Sequence, residues 1–164
     1  MCNDIEIYRQ RCSVMQKWFA DSDKADEVYF TAWTCCLAPD SGVDLESLTK
    51  MCDRVLGKAP DYAARYLLIK GVLAYRQGKF TDAIASLSQI RDLEAASAPL
   101  SASAFYGRVF LSMAYAQIHD QAKAQEWYDK SIAALSSEQT GTDQSLSRKA
   151  ILFILQSEAL KRLK

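Results

Sequence analysis

The chain repeats itself. Ala74 to Ile84 reads Ala-Tyr-Arg-Gln-Gly-Lys-Phe-Thr-Asp-Ala-Ile, and Ala114 to Ala124 reads Ala-Tyr-Ala-Gln-Ile-His-Asp-Gln-Ala-Lys-Ala. Each stretch has the pattern of a helix end, a tight turn, and a second helix opening around a small residue. A helical pair of this size cannot hide its own apolar face, so copies must stack to build a continuous core. The echo therefore constrains the fold more than any single residue. It predicts an all-α repeat protein that offers a docking surface.

Helical periodicity extends to both sides of the echo. Ile5, Tyr8, Cys12, Met15 and Phe19 fall at alternating three- and four-residue steps, which predicts one apolar stripe on an N-terminal helix over residues 4–20. Ser22 or Asp23 is placed to cap the next helix, and Pro39 ends it. Its partner runs from Asp44 to Lys58 on the stripe Leu48, Cys52, Val55 and Leu56, closed by Gly57 and Pro60. Two further antiparallel pairs are expected, Ala63–Gln77 with Thr81–Leu93 and Ala104–Ile118 with Gln121–Leu135. A Pro-interrupted loop of small residues, 94–103, separates them, and a polar linker leads to a last helix over 145–163. The pairs make one domain: 27–60, 63–93 and 104–135, flanked by a single helix at each end.

Composition narrows the function. Lys plus Arg equals Asp plus Glu at 20 each, so no overall basic field draws the chain to nucleic acid. Residues 1–61 are acid-rich and residues 145–164 basic, a gradient whose simplest meaning is solvated helix faces. The five cysteines, Cys2, Cys12, Cys35, Cys36 and Cys52, form no Cys-x-x-Cys pair, and there is a single histidine. That set offers no metal ligands at usable spacing and reads as buried thiols in a reducing cytoplasm. The acidic run at 21–26 lacks the glycine and closing glutamate of a calcium loop. No apolar run approaches the length needed to cross a bilayer.

From these residues the chain resembles the tetratricopeptide repeat family of helix–turn–helix units. In the middle unit Gly71, Gly78, Phe80, Ala83 and Leu87 sit at the family spacing. In the third, Leu111-Ser112-x-x-Tyr115 and Ala124-x-x-x-Tyr128 match, with His119 at the turn position usually held by glycine. The first is degenerate, keeping only Leu48, Cys52, Val55 and Pro60. Leu48, Ala83 and Ala124 align at spacings of 35 and 41 residues. Within this register Ala83 and Ala124 mark close helix crossings, and Gly71 is expected to admit the helix of a neighbouring unit. The arrangement around Ala32–Asp40 is also similar to repeat domains at the C-terminal end of large bacterial signalling proteins, including serine/threonine kinases.

The resemblance implies a right-handed superhelical stack of about three units with a C-terminal capping helix. It also implies a non-catalytic protein–protein interaction scaffold. By register, the residues facing the concave groove are Phe30, Trp33 and Leu37, then Arg65, Leu68, Val72, Tyr75 and Arg76, then Tyr106, Val109, Met113 and Gln117. A mainly apolar groove has two readings. Either it takes an amphipathic partner segment, or it is filled by the protein's own last helix or by a second copy. The expected inner face of that last helix carries Leu146, Ala150, Phe153, Ser157 and Leu160, widened by Ile151, Ile154, Leu155 and Leu163. No nucleophile motif and no phosphate-cradling loop stands in the sequence, so neither catalysis nor a cofactor is expected.

Overall fold

The computed structural model describes residues 2–90, 101–138 and 146–163. Their regular structure is all helical, with no strand among the described residues. The elements are α1 (Cys2–Phe19), α2 (Ala25–Cys36), α3 (Leu45–Val55), α4 (Ala63–Arg76), α5 (Phe80–Leu87), α6 (Ala102–Gln117), α7 (Gln121–Glu138) and α8 (Leu146–Arg162). Short 3-10 turns at Leu56–Lys58 and Pro60–Tyr62 join α3 to α4, as Gly57 and Pro60 foreshadow.

Helix starts follow local chemistry. The Asp44 carboxylate accepts from the Glu46 N–H and opens α3. Ser101, placed in the loop by its composition, is the N-cap of α6 and accepts from the Ala104 N–H. The start of α2 departs from expectation. Its N-cap position is Lys24, with no side-chain cap, and Ser22 instead accepts from the Lys24 N–H while donating to Glu27. α5 ends at Leu87, short of the expected Leu93, and α7 runs on to Glu138, three residues into the expected linker; 91–93, the 94–100 part of the loop and 139–144 of the linker lie outside the described residues.

The helices pack by alternation. α2, α4 and α6 lie side by side, α3, α5 and α7 each pack on the helix before them, and α3 and α5 also touch the helix that follows. α1 packs on α2 along the predicted stripe, with Cys12 fully buried and the Tyr8 hydroxyl donating to the Thr34 carbonyl. The core runs unbroken from Cys12 through Leu48, Leu68, Leu87, Phe105 and Phe110 to Leu155. Burial along that length is what couples the pairs to one another.

The α4/α5 and α6/α7 hairpins share one backbone design. Lys79 N–H donates to Ala74 O and Asp120 N–H to Tyr115 O; Gly78 N–H donates to Tyr75 O and His119 N–H to Ala116 O. These are the two closing bonds of a Schellman helix end, and the residue that makes it possible is left-handed in both, Gly78 at φ 76 and His119 at φ 63. The first bonds of α5 and α7, Ala83 to Lys79 O and Ala124 to Asp120 O, repeat as well. Every pair is offset by 41 residues. The similar Ala-Tyr pairs at 74–75 and 114–115 are therefore one residue out of structural register. Turn geometry fixes equivalence, and side-chain likeness misleads by one position.

Gly71 also has a different job from the one expected. A Cβ there would lie 2.5 Å from the Leu87 side chain and 3.3 Å from the Ala83 carbonyl oxygen. Both belong to α5, so the glycine serves the crossing inside its own hairpin. It does so because α4 meets α5 at closest range where both Gly71 and Ala83 are small.

Candidate functional site

The aromatic side chains of α2, α4 and α6 meet in a layer. Trp33 packs on Tyr106 with ring centroids 4.8 Å apart and planes tilted by 42°, and Tyr75 meets Phe110 edge-on at 5.6 Å. Tyr75 also lies 5.6 Å from Phe80 at the start of α5. Burial raises the Tyr75 phenol above its ordinary pKa, and the nearby Glu158 carboxylate adds to the effect.

Arg76 is the charged centre of this layer. Its Nε donates to the Cys36 carbonyl at 2.9 Å and its Nη2 to the Leu37 carbonyl at 3.1 Å, so it closes the C-terminal end of α2. Its guanidinium carbon lies 5.5 Å from the Tyr75 ring centre and 5.4 Å from that of Phe110. The two terminal nitrogens then grip Glu158 of α8 in a fork, at 2.5 and 2.9 Å. The side chains are only 6% and 9% exposed. Residues 82 apart in sequence thus make a buried ion pair, with a second helix end bonded to the same cation.

The twelve residues expected to line a groove divide three ways. Trp33, Leu68, Val72, Tyr75, Tyr106, Val109 and Met113 are buried, and Leu37, Arg76 and Gln117 are partly so when backbone is included. Phe30 and Arg65 are exposed, Phe30 by 56%. Arg65 pairs loosely with Asp26 at 3.7 Å and lies over the rings of Tyr29 and Tyr62. The structure pairs Trp33 with Tyr106 and Tyr75 with Arg76, and leaves Phe30 and Arg65 on the outside. Beside the layer, a cavity of about 410 Å³ is lined by Ser41, Tyr75, Arg76, Phe80, Gln117 and Arg162 among others.

The last helix turns inward only part of the expected face, Ile151 and Leu155, together with a charged residue the expectation lacked. Phe153 is 73% exposed, and Leu160 is also at the surface. Leu155, Glu158 and Ala159 are the buried residues, with Ile151 packed against the core. α8 packs on α6 and reaches α4 through the Glu158 carboxylate. Hydrophobic periodicity finds Ile151 and Leu155 but not Glu158, because that residue is charged. The sequence did hold one signal: Glu158 is the sole acid in residues 145–164.

The thiols gather where α1, α2 and α3 meet. Cys12, Cys35, Cys36 and Cys52 are all buried and free. Burial pushes Cys36 up to about 12 and raises Cys52 as well. Cys35 is raised chiefly by its hydrogen bond to Cys12, which in turn lowers Cys12. All four side chains belong to the hydrophobic core. Among the described residues no group of three or more His, Cys, Asp or Glu side chains is placed to hold a metal ion. None of the described helices is long and apolar enough to cross a membrane.

A scan against protein-family models matches none of them, and searches of curated proteins and of solved structures find no significant match.

Proposed function

We propose that this chain is a non-catalytic protein–protein interaction scaffold of tetratricopeptide type, built to hold an amphipathic helix against the first helices of its units. The observation that carries the reading is α8 itself. The layer formed by α2, α4 and α6 already grips one such helix, through buried Leu155 and Ala159 and through the Arg76–Glu158 fork. Apolar anchors for affinity and one bidentate arginine for orientation are the usual division of labour in helix recognition. The shared turn geometry of the two hairpins supports the repeat assignment.

Site-specific photo-crosslinking in the native host tests the reading. A crosslinking residue at Phe30 or Phe153, beside the layer, is expected to capture a discrete partner protein. The same residue at Asp82 or Asp129, on the second helices, is expected to capture none. Adducts from neither set, or equally from both, would end the scaffold reading.

Self-association is the second reading, and two exposed aromatics favour it. Trp18 on α1 is 77% exposed and Phe153 on α8 nearly as much. Large bare apolar groups on a small domain point to contact with another surface. Light scattering over a concentration series separates the readings, because a mass that stays monomeric removes the homodimer.

A further inference from the structure

We infer that α8 is a tethered stand-in for a partner helix, and that the partner carries an acidic residue for Arg76 spaced as Leu155, Glu158 and Ala159 are spaced here. This deepens the interaction reading above and rests on it.

The receptor half of the contact does not depend on α8. Arg76 takes its position from two carbonyls at the end of α2, and from rings on α4 and α6. The groups that orient the guanidinium toward the seat thus include four that lie outside α8. Two carbonyl dipoles do not neutralise a buried cation, so the seat strongly disfavours an occupant without a carboxylate. That requirement supplies specificity. A helix with an apolar anchor, an acid three residues on and a small residue next to it fits the same place.

The stand-in half is held on one side in its described residues, where Ile151 also packs against the core. Leu155, Glu158 and Ala159 face inward, while Phe153, Ile154 and Leu160 remain exposed. α6, by contrast, is buried along most of its length, and α4 from Leu68 to Tyr75 apart from Lys70. A helix held on one side opens before helices held on several sides. Because α8 is tethered, it competes at high effective concentration and weakens any partner's apparent affinity until it is displaced.

The test uses a fluorescent peptide of residues 146–163 as probe and the full chain as receptor, read by anisotropy. The E158Q chain is expected to bind the probe about tenfold more tightly than wild type does, since its own α8 has lost the charge that holds it. A probe with glutamine in place of the glutamate is expected to lose about tenfold on that chain. The inference is overturned if a folded E158Q chain binds no better than wild type, or if it binds both probes alike. Hydrogen exchange on the wild-type chain gives an arm that needs no variant. The α8 amides are expected to exchange about tenfold faster than those of α4 and α6, and equal protection overturns the proposal. A stable dimer that exchanges α8 between copies overturns it in favour of self-assembly. Failure here leaves crosslinking at Phe30 and Phe153 standing as a separate test of the scaffold.

Discussion

The α4/α5 and α6/α7 hairpins solve the same two problems with different residues. At the crossing, α4 uses Gly71 against Leu87 and Ala83, whereas α6 places Ser112 at the corresponding position. The serine is fully buried, and its hydroxyl donates to the Ala124 carbonyl at 2.8 Å. At the turn, Gly78 adopts the left-handed conformation without a Cβ, and His119 adopts it with one. One hairpin is thus close-packed and relaxed at its turn. The other is bridged by a hydrogen bond and strained at its turn. A common backbone does not require common side chains, provided that each satisfies the same spacing and the same dihedral.

The strongest way to break this equivalence is to overfill both crossings. Ala83→Leu and Ala124→Leu are each expected to lose about 3 kcal/mol of stability in denaturant unfolding. If one is tolerated and the other is not, the crossings are not counterparts. Next comes the residue exchange. Gly71→Ser is expected to lose about 2 kcal/mol, because a Cβ at that point forces Leu87 to move. An unchanged unfolding midpoint would remove the close approach from the account.

Ser112→Ala sharpens the other half, with an expected loss of about 1 kcal/mol for the missing hydroxyl bond. A neutral result would show that Ser112 serves by size alone. The smallest effect runs the other way. His119→Gly is expected to stabilise by about 0.5 kcal/mol, because relief of the left-handed strain outweighs the added chain entropy. A loss of stability there would mean that the histidine side chain makes a contact worth more than its strain.

Much of the architecture was legible because it depends on local pattern. The stripe Ile5–Tyr8–Cys12–Met15–Phe19 turns inward, Asp44 caps its helix, and His119 takes the place of a turn glycine. Where the reading failed, the deciding partner lay on another helix. Gly71 was assigned to a neighbouring unit because spacing gives the need for a small residue and not the helix that presses on it. Glu158 on the inner face of α8 was missed because it lies inside only on account of Arg76. Of the residues read as groove-facing, Trp33 packs on Tyr106 and Arg76 on Tyr75, contacts between helices that spacing along one chain does not give.

The amino-acid order by itself determined the helices, their pairing into hairpins and the positions that must stay small, since hydrophobic period and turn chemistry act over a few residues. Only the tertiary structure decided which surface α8 covers and which of its faces it turns inward. The physical reason is the cation at Arg76. It is fixed by carbonyls from α2 and rings from α4 and α6, and it draws a carboxylate out of solvent that no local rule would bury.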